Sequence, residues 1–180
     1  MPGDALAERE AFVLFEVAPH PDTRGAELRL WTRYVEQAER SGRPVRVHYR
    51  TWGPTSMTSA AMRVGGADAF GWLAGERGVH RIDRDRGRRI RPAVEVRVEV
   101  VPVAVSYDGI HVPDEDVRVW EEPQADHGGP PVSPVRSVWL RHLPTGVSAG
   151  CEGRESTRRN RTDAWTLLLS RLAHLGNRDL

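Results

Sequence analysis

Lysine is absent from the 180-residue chain: all 26 basic residues are arginine. We read this as GC-rich codon usage, not by itself as a nucleic-acid signal. There is one cysteine, Cys151, which excludes an internal disulfide and a Cys-rich zinc site. No apolar run approaches the ~20 residues that a membrane-spanning helix needs. The start, M-P-G-D-A-L-A-E-R-E, is too polar and acidic for a secretory signal, so the expected location is cytoplasmic. The seven histidines show no ligand spacing, and G-x-G-x-x-G is missing. No metal and no small-molecule cofactor is therefore expected. Asp126, His127 and Ser133 lie too close together in one loop, without a strand-to-helix elbow, to form a hydrolase triad. No internal repeat is found.

What is present is charge, unevenly placed around a net +1. Arg81–Arg91 holds six Arg against two Asp, net +4; Pro92–Asp126 holds two Arg against nine acids, net −7. Arg136–Arg178 holds eight Arg against three acids, net +5. Basic stretches flanking an acidic middle suggest one surface that meets phosphate and one that does not.

Hydrophobic patterning predicts a mixed α/β chain. Residues 1–10 read as a disordered tail, and Ala11–Val17 as a buried strand. Leu28, Trp31, Val35 and Ala38 mark one face of a helix that stops near Ser41-Gly42, with Pro44 beyond. Val45–Arg50 and Thr58–Val64 read as strands, and Asp68–Ala74 as a short helix or turn. In Ala93–Val101, Val94, Val96, Val98 and Val100 alternate with charged residues, the clearest strand pattern in the chain. Val117–Trp120 is another strand. Ser137–Leu143 and Val147–Cys151 form a hairpin across Pro144-Thr145-Gly146. Ser156 caps a last helix with Ala164, Trp165, Leu168, Leu169, Leu172 and Leu175 as its buried stripe. Trp31, Trp72 and Trp165 are assigned to the core, and Trp139 is left open between core and base stacking. Arg158, Arg159 and Arg161 crowd the first turns of that helix, where cations oppose its dipole; phosphate contact would explain them.

Two blocks carry a family resemblance. In the back half, Gly128-Gly129-Pro130 is followed by a strand, then His142-Leu-Pro-Thr-Gly146, then Arg154-Glu-Ser-Thr-Arg-Arg-Asn160-Arg-x-x-Ala164. This order resembles G-G-Q, H-x-P-T-G and R-S-Q-x-x-N-K-x-x-A of bacterial class I peptide chain release factors. In the front half, Ala69–Ile82 (A-F-G-W-L-A-G-E-R-G-V-H-R-I) is similar to the A-Y-G-W-L-x-x-E-x-G-V-H-R-L/I of type 2 factors, and Ala26–Trp31 resembles their T-E-A-x-x-W. The resemblance spans roughly residues 11–175. It implies an α+β fold of two small units, 11–92 as the core domain and 93–180 as the catalytic-type domain, without the family's N-terminal helical domain or C-terminal packing segment. That short build is similar to release factor H, which keeps Gly-Gly-Gln.

The departures are as informative as the matches. In the family the backbone N–H after the two glycines contacts the reacting ester oxygen; proline has no N–H, so Pro130 removes that donor together with the glutamine side chain. The codon-reading tripeptide has no counterpart, since Asp83–Arg89 runs almost directly into the next strand. The resemblance thus implies a release-factor-like protein of translation termination or ribosome rescue that binds ribosome or tRNA, with no catalytic residue in the Gly-Gly-Pro loop. Its RNA contacts would be Arg136, Arg141, Arg154, Arg158, Arg159 and Arg161. The alternatives are a peptidyl-tRNA hydrolase of altered chemistry, and an adaptor for a protein such as an RNA-repair ligase. Glu76, His80 and Arg81 are read as a structural polar network, and His142 as packing the hairpin.

Overall fold

The computed structural model describes residues 10–20, 22–23, 25–83, 93–104, 106–107, 110–123 and 134–176. The expected tail over residues 1–10 lies outside them except for Glu10, whose carboxylate pairs with Arg63. The chain divides into two compact units, residues 1–100 and 101–180.

The first unit contains β1 (Ala11–Val17), α1 (Ala26–Arg40), β2 (Val45–Trp52), β3 (Met57–Val64), α2 (Ala69–Ala74), β4 (Gly78–Ile82) and β5 (Val94–Pro102), the last ending two residues past the division. Its sheet has the order β2-β3-β1-β5-β4. β1 is central, and six of its seven residues are buried, which is why A-F-V-L-F-E-V reads as a continuous apolar run. β5 alternates because the odd residues Glu95 and Arg97 are exposed while Val94, Val96, Val98 and Val100 enter the first core. The expected boundary at residues 92/93 is therefore corrected. The strand assigned to the second unit completes the first sheet, because its valines bury there. β4 gave no sequence signal; it is an edge strand with no fully buried residue, so nothing selects an apolar alternation.

Helix α1 ends where expected, before Ser41, but its face is rotated. Ala26, Glu27, Leu30, Trp31, Tyr34 and Ala38 are buried, while Leu28 and Val35 are only partly so. Glu27, on the buried face of α1, accepts a hydrogen bond from the Met57 backbone N–H at 3.3 Å. A carboxylate on the core face weakens the apolar reading of position 27, so periodicity places the centre of the face one step away.

α2 is capped by Asp68, a non-glycine residue at φ +52°, whose carboxylate accepts from the Gly71 N–H at 3.2 Å. Beyond α2, the expected polar network is present in part. The Tyr34 hydroxyl donates to Glu76 at 2.6 Å, and the His80 Nε2 lies 2.7 Å from the Glu76 carbonyl oxygen. That carbonyl can only accept, so Nε2 carries the proton. Arg81 stays exposed and outside the network. Burial first, and then the Glu76 carboxylate, hold the Tyr34 phenol well above its ordinary pKa. The folded state thus keeps a proton that the unfolded chain releases above about pH 10, and stability falls as pH rises beyond that point. Wild-type protein is expected to lose urea stability more steeply between pH 9 and 11 than Tyr34→Phe, and equal slopes would remove this assignment.

The second unit is a three-stranded antiparallel sheet, β6 (Val117–Pro123), β7 (Arg136–His142) and β8 (Ser148–Cys151) in that order, backed by α3 (Thr157–Gly176). A single 3-10 turn, Asp114–Asp116, leads into β6. Val138, Leu140, Ala149 and Cys151 are buried on the helix side against Ala164, Leu167 and Leu168. The expected stripe on α3 is corrected: Asn160, Ala164, Leu167, Leu168 and Ser170 are buried, whereas Trp165, Leu169, Leu172 and Leu175 are half-buried. The true face includes two polar residues that are satisfied by the sheet and its loops, which no apolar count can find. Of the tryptophans assigned to the core, Trp31 is buried, and Trp72 packs partly exposed beneath the Arg43 guanidinium at 4.8 Å. Among the described residues no helix is long and apolar enough to cross a membrane.

Candidate nucleic-acid interface

The sequence-predicted loop Gly128-Gly129-Pro130 lies outside the described residues, but both of its anchor points are described. β6 and β7 pair from Val117↔His142 to Pro123↔Arg136, so the segment 124–135 joins two hydrogen-bonded strand ends. Ser137 Oγ donates to the Glu122 carbonyl at 3.1 Å across the same ends.

On the other side, Arg136 is clasped by α3. Its backbone N–H donates to Thr157 Oγ1 at 2.9 Å, and its carbonyl accepts from Asn160 Nδ2 at 2.7 Å. Asn160 Oδ1 in turn accepts from the Arg154 N–H at 3.1 Å. One fully buried amide therefore ties the base of the loop to the segment after β8. Ser156 caps α3 as expected, its Oγ accepting from Arg159 N–H at 3.2 Å.

The H-L-P-T-G turn is equally specific. Thr145 Oγ1 lies 2.8 Å from His142 Nδ1 and accepts from the Val147 N–H at 3.3 Å. Gly146 sits at φ +73°, a left-handed position that favours glycine. His142 thus orders the turn, through a hydrogen bond to Thr145.

The six predicted RNA-contacting arginines separate into groups. Arg136 and Arg161 converge on Glu121, at 3.8 and 2.8 Å. Arg154 pairs with Asp163 at 3.0 Å and with Glu155 at 3.9 Å, and Arg159 pairs with Glu155 at 3.3 Å. Arg141 and Arg158 are exposed and make no ion pair among the described residues. The carboxylates Glu121, Glu155 and Asp163 explain how α3 tolerates arginines in its first turns. The more exposed pairs, those of Arg136 and Arg161 with Glu121 and of Arg159 with Glu155, contribute at most about 1 kcal/mol each, so a phosphate can exchange with them, whereas Arg154–Asp163 is largely buried.

Sequence reasoning missed Thr157 and Asn160 as organisers. It also missed Arg118, which the β6–β7 register sets directly opposite Arg141. Trp139 is half-buried over Gly150, its register partner on β8; a Cβ there would lie 2.3 Å from the indole. Only glycine admits the ring, a coupling that spacing alone does not reveal.

A two-unit α/β chain with a paired β6–β7 whose connecting segment carries Gly128-Gly129, a histidine-ordered turn and an arginine-rich helix start defines a release-factor type of architecture. Comparison with known proteins agrees. The chain is 32% identical over 170 residues to peptide chain release factor 2 of Thermomicrobium roseum, covering 88% of this chain and 45% of that protein. It is 35% identical over 160 residues to peptide chain release factor 2 of Phenylobacterium zucineum, covering 86% and 42%. The solved structure of RF2 of Thermus thermophilus matches with a TM-score of 0.77 and 29% identity, over 96% of this chain and 51% of that one. No family model matches. The chain belongs to the class I peptide chain release factor family, and it spans about half the length of the curated relatives it matches.

Proposed function

We propose that this protein acts in translation termination or ribosome rescue in the cytoplasm. In this reading it binds the ribosome, through large-subunit rRNA or tRNA, without codon-specific reading and without the family's normal hydrolysis of peptidyl-tRNA. The observation that carries the proposal is the Asn160 clasp. It holds Arg136, at the start of β7, to the arginine-rich helix, so the scaffold on which the Gly-Gly segment is anchored is retained although Pro130 stands in place of the family's glutamine.

Several features support each part of this reading. Kinship with proteins named peptide chain release factor 2 supports the setting. The arginines on β7 and α3 supply phosphate attraction but little base discrimination, in keeping with binding that does not depend on a codon. Pro130 lacks the N–H that the reacting oxygen needs.

Co-sedimentation with ribosomes and separated subunits across a salt series tests it. Binding to the large subunit is expected, weakening by about 0.7–0.9 log units per log salt for each phosphate contact. Absence of binding at low salt would overturn the proposal and favour a protein partner.

A further inference from the structure

The face of the second sheet turned away from α3 has a composition of its own. Side chains on directly opposed residues of an antiparallel pair share a face, so the register sorts them without ambiguity. Val138 and Leu140 face the helix; Ser137, Trp139 and Arg141 therefore face away, together with their partners Glu122, Trp120 and Arg118. Two rows matter. Arg118 stands opposite Arg141, and next to them Trp120 stands opposite Trp139, with Gly150 beyond.

Each row poses a physical question. Arg118 and Arg141 are both exposed and make no ion pair among the described residues. Like charges directly opposite one another destabilise a sheet unless something offsets them. An anion placed between the two guanidiniums would. The adjacent indoles are held in place. Trp120 Nε1 donates to Glu122 Oε1 at 3.1 Å, and Trp139 lies over the glycine that alone makes room for it. Ordered aromatic side chains beside a guanidinium pair are the elements from which single-stranded nucleic-acid sites are built: a cationic pair for the backbone and ring faces for unpaired bases. The basic helix is different, because four of its associated arginines are engaged with Glu121, Glu155 and Asp163.

We propose that the outer face of the β6–β7 hairpin, formed by Arg118, Trp120, Trp139 and Arg141, is a stacking site for a short single-stranded RNA segment. Arg118 and Arg141 flank a phosphate, and Trp120 or Trp139 receives an unpaired base. This deepens the ribosome- or tRNA-binding reading and rests on it, because it supplies a second contact on the sheet face opposite to α3.

The test uses the full chain, a fluorescein-labelled 12-nucleotide single-stranded RNA, the same RNA as a duplex, and ribosomes. Anisotropy should show tighter binding of the single strand, with quenching of tryptophan fluorescence. Arg118→Glu/Arg141→Glu should weaken single-strand binding at least tenfold and lower the salt slope by about 0.7, the worth of the one phosphate they flank. Trp120→Ala should weaken it about tenfold at unchanged salt slope, since stacking is not screened. Unchanged circular dichroism and melting temperature identify folded variants. Trp139→Phe with Gly150 retained is the milder variant at the second ring, and its quenching amplitude should fall.

Equal affinity of wild type and Arg118→Glu/Arg141→Glu for the single strand overturns the inference, as does preference for the duplex. If ribosome binding then persists and is lost in Arg158→Ala/Arg161→Ala, the wider reading stands without this site. If wild type binds neither ribosomes nor RNA, both fail together.

Discussion

Replacing Pro130 by glutamine is expected to raise peptide release at least about 100-fold. The assay is single turnover, on ribosomes carrying peptidyl-tRNA with an empty A site. One hydrogen-bond donor is missing. Ester hydrolysis builds charge on the carbonyl oxygen, and a backbone N–H aimed at that charge typically contributes about 100- to 1000-fold in rate. Proline cannot supply it, and it also confines the preceding Gly129 to extended conformations. Pro130→Gln restores the donor, the freedom of Gly129 and the amide side chain. Pro130→Ala restores only the first two, so its gain should be smaller but real. Wild type is expected to stay at the uncatalysed rate. If Pro130→Gln binds ribosomes yet remains at background, the deficit lies elsewhere, and the absent codon-reading tripeptide becomes the first suspect. If wild type already releases peptide above background, the non-hydrolytic reading fails.

The second large effect is structural. Asn160→Ala should destabilise the second unit by about 3 kcal/mol, because it strips partners from two backbone groups at once. Asn160 is fully buried and joins the Arg136 carbonyl at 2.7 Å to the Arg154 N–H at 3.1 Å. A buried polar group left unpaired costs about 1–3 kcal/mol. The melting temperature of the unit should fall by roughly 12–24 °C. Asn160→Asp separates the two bonds. It keeps an acceptor for Arg154 but sets a carboxylate against the Arg136 carbonyl oxygen. Its folded-state pKa is therefore raised, so its loss of stability should be large at pH 7 and ease as the carboxyl protonates near pH 4. Urea denaturation at the two pH values reads this directly. A change within about 0.5 kcal/mol for Asn160→Ala would mean that water replaces the amide, and the clasp would not be what holds the loop.

The release-factor assignment was legible because its motifs are short and locally determined. H-L-P-T-G specifies a turn by its own residues: Thr145 bonds His142 and Val147 within three positions, and Gly146 takes the left-handed conformation. The capping Ser156 is likewise local. Strands with clear alternation, such as β5, were also legible, as was the central β1 with its continuous apolar run. The sequence by itself also determined that Pro130 carries no N–H, since that is a property of the residue and not of its surroundings.

What only the tertiary structure decided are matters of partnership. β5 belongs to the first sheet because its valines pack into that core, and no local pattern says which core a strand will join. The buried faces of α1 and α3 contain Glu27, Asn160 and Ser170, polar residues that count against burial until a partner is placed beside them. The arginines of the back half look alike in sequence. In space Arg136 and Arg161 share Glu121, whereas Arg118 and Arg141 face one another. That difference is set by strand register and by a helix crossing the sheet, long-range geometry that depends on how distant segments meet.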